Sequence, residues 1–187
     1  MSNETQKNLR RAFAGESMAR NKYFQFGLRA KKEGYRSIER IFKETEDNER
    51  AHAERLQELM KDKPDVDLTG YTVPPVQDTA TNLQEAIEGE HYETSKMYPD
   101  FYEIAVKEGD KITAKAFQEI GDVESWHRDR YKALLKNLEE GKMFKRDKPI
   151  RWKCLNCGYV HEGKEAPKVC PACAHPQAFY EVWCQPY

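Results

Sequence analysis

Residues 46–57 read Glu-Asp-Asn-Glu-Arg-Ala-His-Ala-Glu-Arg-Leu-Gln, and residues 121–131 read Gly-Asp-Val-Glu-Ser-Trp-His-Arg-Asp-Arg-Tyr. Each stretch holds a Glu three positions before a His: Glu49 with His52, and Glu124 with His127. On a helix, positions i and i+3 share a face, so each pair aims a carboxylate oxygen and an imidazole nitrogen at one point. Upstream of each pair stands a lone Glu on another predicted helix. Glu16 precedes Glu49 by 33 residues and Glu90 precedes Glu124 by 34, so the chemistry repeats across two halves of the chain.

The surrounding pattern is helical. Up to about Gly141 the chain is rich in Ala, Glu, Lys, Arg, Leu and Met, with apolar residues at three- and four-residue intervals. Helices are expected over 5–33, stopped by Gly34; over 37–61, with Ser37 as N-cap and Pro64 beyond its end; over 80–107; and over 111–140, started by Gly109 and Asp110 and stopped by Gly141. Residues 63–79, with Pro64, Gly70, Pro74 and Pro75, break helix and read as a long crossover. Two helical hairpins joined by one long crossover form a ferritin-like four-helix bundle.

One Glu from each of two helices and a Glu-x-x-His from each of the other two make a di-iron carboxylate set. Carboxylates bridge two ions and offset their charge, while each His caps one ion. The alternative is a salt-bridged surface face, which the matched offsets and the apolar neighbours argue against. Ala12, Ala19 and Tyr23 accompany Glu16, and Ile120, Val123 and Trp126 are expected to accompany Glu124. Glu88 and His91 form a third such pair, set aside because Glu90 shares the inward stripe with Leu83, Ala86, Ile87 and Met97, which turns His91 away. Glu93, three after Glu90, is a further candidate ligand or a surface Glu; as a ligand it suits the more highly charged ferric pair, with neutral His52 suiting the ferrous one. Tyr23 and Tyr98 follow Glu16 and Glu90 by about two turns, either as donors to those carboxylates or as core phenols.

All five cysteines lie in the last 34 positions. Cys154-x-x-Cys157 and Cys170-x-x-Cys173 close two knuckles around one tetrahedral metal, iron or zinc. Cys184 has no partner doublet and is expected to be a free thiol. The chain divides into a bundle (1–141), a linker (142–149) and a metal-stapled module (150–187), too poor in apolar residues to hold a core unaided. With 31 basic and 32 acidic residues intermixed, there is no basic footprint for nucleic acid. Residues 1–20 carry no apolar run fit for a signal peptide or a membrane span, which points to a cytoplasmic protein.

The run Trp152-Lys153-Cys154-Leu155-Asn156-Cys157-Gly158-Tyr159, then Ala166-Pro167 and Cys170-Pro171-Ala172-Cys173, resembles rubredoxin, with Trp152, Tyr159 and Phe179 as shielding aromatics. Ala174 stands where a glycine would ease the turn. With the carboxylate set, essentially the whole chain resembles the rubrerythrin family. The resemblance implies di-iron ligands Glu16, Glu49, His52, Glu90, Glu93, Glu124 and His127, one further iron on the four doublet cysteines, and supporting tyrosines Tyr23 and Tyr98. It also implies an NADH-dependent peroxidase of oxidative-stress defence, in which a reductase or rubredoxin feeds electrons through the tetracysteine iron to the di-iron pair and hydrogen peroxide becomes water. A homodimer or larger assembly is implied as well. The rival readings are a ferroxidase or iron-storage protein, a dioxygen reductase, and a non-catalytic zinc ribbon on a helical domain.

Overall fold

The computed structural model describes residues 4–63 and 65–184; Pro64 and the chain ends lie outside the described residues. The bundle comprises α1 (Glu4–Lys32), α2 (Arg36–Glu58), α3 (Thr79–Tyr92), a π-helical turn (Glu93–Met97), α4 (Tyr98–Lys107) and α5 (Lys111–Glu139). The π turn joins α3 and α4 end to end, so the third rod of the bundle is continuous helix with one widened turn. No helix among the described residues is long and apolar enough to cross a membrane.

Both hairpins turn by the same device. Gly34 and Gly109 adopt positive φ, +88° and +79°, where a glycine carries no Cβ penalty. Around Gly34 the amide of Tyr35 reaches back to Ala30 O at 2.9 Å and that of Gly34 to Lys31 O at 3.1 Å; Asp110 and Gly109 repeat this on Ala105 and Val106 at 2.9 and 3.1 Å. These paired bonds satisfy the last carbonyls of the helix and reverse the chain.

The matching extends to residue counts. Glu49 and Glu124 each stand 13 residues after the start of α2 and α5, and each connector, 33–35 and 108–110, has three residues. Glu16 lies 16 residues before the end of α1, whereas Glu90 lies 17 before the end of α4. The one-residue difference between the two halves is therefore absorbed wholly in the third rod, where the π turn holds an extra residue.

Four expectations are corrected. Ser37 does not cap α2; the helix starts at Arg36 with Tyr35 as its cap residue, because the Gly34 turn leads straight into it. The helix stops at Glu58 rather than near Lys61, since Gln6 of α1 takes the amide of Lys61 at 2.8 Å and meets Leu59 O at 3.3 Å, drawing the chain aside. Val123 and Trp126 are 38% and 77% exposed; they sit about 100° and 200° around α5 from Glu124, and the buried stripe instead runs through Phe117, Ile120, Glu124, His127 and Tyr131. The stretch read as a linker already pairs in a sheet: β1 (Lys145–Cys154) starts at Lys145, which pairs with Glu165, and its register shifts before Ile150.

In the small module, β2 (Val160–Glu165) and β3 (Tyr180–Val182) flank β1 in antiparallel order β2-β1-β3. Its core is Trp152, Ala166, Tyr180 and two of the cysteines. The module rests on the α1–α2 turn: Tyr35 stacks on Phe144, the Arg36 guanidinium lies 4.8 Å from the Phe179 ring, and Arg40 meets Glu181 at 2.5 Å.

The bundle core is split. One apolar layer gathers Tyr23, Phe26, Ile38, Phe42, Leu83 and Tyr131; the other gathers Leu9, Leu56, Met97, Tyr98, Phe117 and Ile120. Between them lies a layer of buried carboxylates.

Candidate metal centre

Four helical rods each deliver one Glu to that layer. Glu16, Glu49, Glu90 and Glu124 are at most 1% exposed, and His127 is 3% exposed. One donor atom each from Glu16, Glu49, His52 and Glu124 falls within 4.8 Å of the others, and so does a second set of Glu49, Glu90, Glu124 and His127. Glu49 and Glu124 belong to both sets, so the layer contains two overlapping four-donor clusters related by the same two-fold repeat as the sequence.

The donors lie close without pairing fully. His52 Nδ1 is 3.0 Å from Glu49 Oε2 and 2.9 Å from Glu124 Oε1; His127 Nδ1 is 2.7 Å from Glu124 Oε2 and 3.4 Å from Glu49 Oε1. Yet Glu16 Oε2, Glu49 Oε1, Glu90 Oε2, both Glu124 oxygens and His127 Nδ1 have no aligned hydrogen-bond partner. An unmet buried polar group costs on the order of 1–3 kcal/mol, and more when charged. Short separations combined with misaligned lone pairs mean that the groups converge on shared points rather than on each other, as cation binding requires. The donor set fits a pair of iron ions.

Charge crowding appears in the proton affinities. Burial, reinforced by the Glu124 carboxylate, pushes Glu16 and Glu90 well above the usual carboxylate range. Burial opposes charge on both histidines, but the surrounding carboxylates prevail: His52 is raised strongly and His127 is raised to about 9. Glu49 goes the other way, to about 2, because His127 and His52 outweigh the cost of its burial. The carboxylate layer thus favours positive charge at both imidazole positions, the environment a bound cation needs.

Glu93 lies in neither cluster. It is half-buried in the π turn, and burial together with the charges of Glu124 and Glu49 raises its carboxyl to about 8. The two tyrosines cross between the halves: Tyr23 donates to Glu90 Oε1 at 2.5 Å, and Tyr98 donates to Glu16 Oε1. Because the π turn inserts a residue, Tyr98, eight after Glu90, faces inward as Tyr23 does seven after Glu16. His91 is exposed.

Two contacts were not singled out in the sequence. Asn48 Oδ1 sits 3.2 Å from His127 Nε2, the ring nitrogen turned away from the carboxylates; its signal was only adjacency to Glu49. Tyr180 is fully buried in the small module, and its hydroxyl helps lower the Cys170 thiol. There the shielding aromatics are Trp152 and Tyr180, with Tyr159 and Phe179 partly buried around them.

The four doublet cysteines place their sulfurs within 4.8 Å of one another. Cys154 and Cys173 are 3.8 Å apart, and Cys157 and Cys170 are 3.7 Å apart. A tetrahedron with metal–sulfur bonds of about 2.3 Å has edges of about 3.8 Å, so the spacing matches one tetrahedral metal. Backbone amides favour the thiolates: that of His175 draws Cys173 down to about 6. Burial raises Cys170, but Tyr180 and the amides of Ala172 and Cys173 bring it below its usual value. Cys184 is exposed and outside the cluster.

Two family models match the chain: rubrerythrin over residues 7–135, and the rubredoxin-like domain of rubrerythrin over residues 152–181. A putative rubrerythrin of Methanocaldococcus jannaschii is 48% identical, covering 98% of this chain and 95% of the relative. The rubrerythrin of Clostridium perfringens is 47% identical over 98% and 96% of the two chains. Among solved structures, nigerythrin in its fully reduced, all-ferrous state aligns with a TM-score of 0.65 at 31% identity, covering 98% of this chain and 88% of that one. The matches span both units and the geometry supplies both donor sets: the chain belongs to the rubrerythrin family, di-iron proteins that pair a ferritin-like bundle with a rubredoxin-like iron module.

Proposed function

We propose that the chain is a cytoplasmic peroxidase of oxidative-stress defence, reducing hydrogen peroxide with electrons from NAD(P)H delivered by a reductase or a rubredoxin. In this reading Glu49 and Glu124, common to both donor sets, would be shared by two irons, with Glu16 and His52 holding one and Glu90 and His127 the other. Cys154, Cys157, Cys170 and Cys173 hold the third iron. The observation that carries the reading is the pair of buried donor sets sharing Glu49 and Glu124, on the same chain as a tetrathiolate cluster.

Iron in these sites supplies reversible one-electron storage, two electrons per pair. The balance is H2O2 + NAD(P)H + H+ giving two waters and NAD(P)+: the O–O bond breaks, the nicotinamide loses two electrons, and one further proton comes from solvent. The apolar layers on either side exclude bulk water and strengthen every charge interaction inside. Tyr98 and Tyr23 fix the Glu16 and Glu90 carboxylates by hydrogen bonds, and Asn48 holds the His127 ring so that Nδ1 faces the cluster. Glu93, beside the layer in the π turn, would be the alternative to His52 as a ligand, its anionic carboxylate suiting the more highly charged ferric pair. Crystals of the oxidised and reduced forms with the same ligands in both would contradict that exchange.

The functional division follows the bundle 1–141 and the module 150–187. In a homodimer or larger assembly the module of one subunit would serve the di-iron pair of another. The test is coupled turnover: iron-loaded protein, a flavin reductase, NADH and hydrogen peroxide. The reading expects one NADH consumed per peroxide and about three irons per chain. Uptake of hundreds of irons per particle without peroxide-dependent NADH loss would replace it with iron storage.

A further inference from the structure

Four glycines lie inside the bundle helices, where each is unfavourable relative to alanine. Two have packing reasons. A Cβ on Gly27 would press on Phe42 Cβ at 3.4 Å and Glu39 O at 3.5 Å, and one on Gly121 would meet Tyr98 Cβ at 3.0 Å. The other two have none. A Cβ on Gly15 would make an ordinary contact, 3.5 Å from Tyr71 Cε1, and one on Gly89 would meet only the mobile tip of Lys22, at 3.1 Å from Nζ.

Gly15 and Gly89 occupy equivalent places in the repeat, each immediately before a carboxylate of the buried layer, Glu16 and Glu90. Both line one cavity of about 480 Å3 between α1 and α3, roofed by residues 69–74 of the crossover. Glu93 and Met97 of the π turn also line it, and Glu93 is close enough to bear on the charge of Glu16 and Glu90. The roof is pinned where the Tyr71 hydroxyl donates to Arg11 O at 2.9 Å. The cavity is thus lined by the residues next to Glu16 and Glu90 in sequence and by Glu93, on the side of the bundle where those carboxylates enter the layer, and the two glycines without a packing role are its bare walls.

We propose that this cavity is the entrance for the oxidant and that Gly15 and Gly89 set its width, admitting hydrogen peroxide and holding back bulky alkyl hydroperoxides. The identity of the oxidant rests on the peroxidase reading; the route does not. Met at position 89 would keep the helix and fill the entrance.

The test uses the iron-loaded chain and three probes: hydrogen peroxide and tert-butyl hydroperoxide with the reduced protein, and azide with the oxidised protein. In Gly89→Met the rates with hydrogen peroxide and with azide should fall by about tenfold or more, because a narrowed entrance lowers the on-rate. Iron content and reoxidation of the tetrathiolate by ferricyanide should stay unchanged. In Tyr71→Ala the tert-butyl hydroperoxide rate should rise relative to that of hydrogen peroxide. If Gly89→Met fails to hold iron, the double variant Gly15→Ala, Gly89→Ala decides, with an expected drop of about threefold and a higher unfolding midpoint. Wild-type azide and peroxide rates in the narrowed variants would overturn the route. A wild-type chain that ignores peroxide but still shows slower azide entry on narrowing would keep the route and remove the peroxidase reading.

Discussion

At the scale of single residues, the clearest local conflict is Ala174, with φ of +58° in the second cysteine knuckle. A side chain there costs roughly 1–2 kcal/mol, partly offset in any comparison by glycine's greater freedom in the unfolded chain. Ala174→Gly is expected to stabilise the module by about 1 kcal/mol, read as a higher denaturant midpoint for loss of the iron–thiolate band; a lower midpoint would contradict the strain. Asn48 is a second such case. If its contact with the outer nitrogen of His127 fixes that ring, Asn48→Leu should weaken iron(II) binding by about 10- to 100-fold in chelator competition. Unchanged affinity would show that the ring is held by packing alone. The Glu and Cys donors were legible because their spacing is chemical. Asn48 and Tyr180 were not, since a supporting contact requires only proximity in space and leaves no periodic trace.

At the scale of elements, the two-fold repeat was readable to within one residue, and that residue is the π turn. Its presence cannot be seen in propensities, because Glu93-Thr94-Ser95-Lys96-Met97 reads as ordinary helix; it shows only as offsets of 34 against 33 and eight against seven. Deleting the exposed Ser95 should therefore convert the turn to α-helix, leave Tyr98 facing Glu16, and preserve the fold and two bundle irons. Deleting Gln84 in α3 should instead turn Glu90 about 100° out of the layer and abolish iron binding in the bundle, leaving the tetrathiolate iron in place. Circular dichroism and iron content distinguish the two, and equal damage from both deletions would contradict the register argument. Trp126 is exposed for a related reason: around Glu124 the helix buries only positions at three- and four-residue steps, so nearness in sequence alone does not predict burial.

At the scale of the whole molecule, two apolar layers enclose a polar one, and stability is bound up with charge at its centre. His127 rises from 6.5 to about 9 and Glu93 from 4.5 to about 8. Groups with raised values favour the folded state when protonated, so their contribution, intact at low pH, is lost as pH climbs to about 9. Glu49, lowered to about 2, acts oppositely, stabilising above 4.5 and failing only as pH falls toward 2. The metal-free protein should thus show a falling unfolding midpoint between pH 6.5 and pH 9. The iron-loaded protein, whose ligands must shed protons to bind, should hold its midpoint over that range; parallel curves for both forms would contradict the account. The module's seat on the α1–α2 turn was not visible in the sequence, because it depends on Arg36, Arg40 and Tyr35, surface residues with no pattern of their own. Along α2, Arg40 is nine residues from Glu49, about 13 Å of helix, which places the seated module at one end of the bundle and the carboxylate layer at its middle. Whether electrons pass between these two units and on to peroxide is the central claim, and anaerobic stopped-flow tests it most directly: reduce the iron-loaded chain, mix with hydrogen peroxide, and follow the ferric tetrathiolate band. The account predicts rapid return of the band in the wild type and its loss in Glu49→Ala, where both donor sets lose a shared carboxylate. Return of the band at the wild-type rate in Glu49→Ala would contradict it.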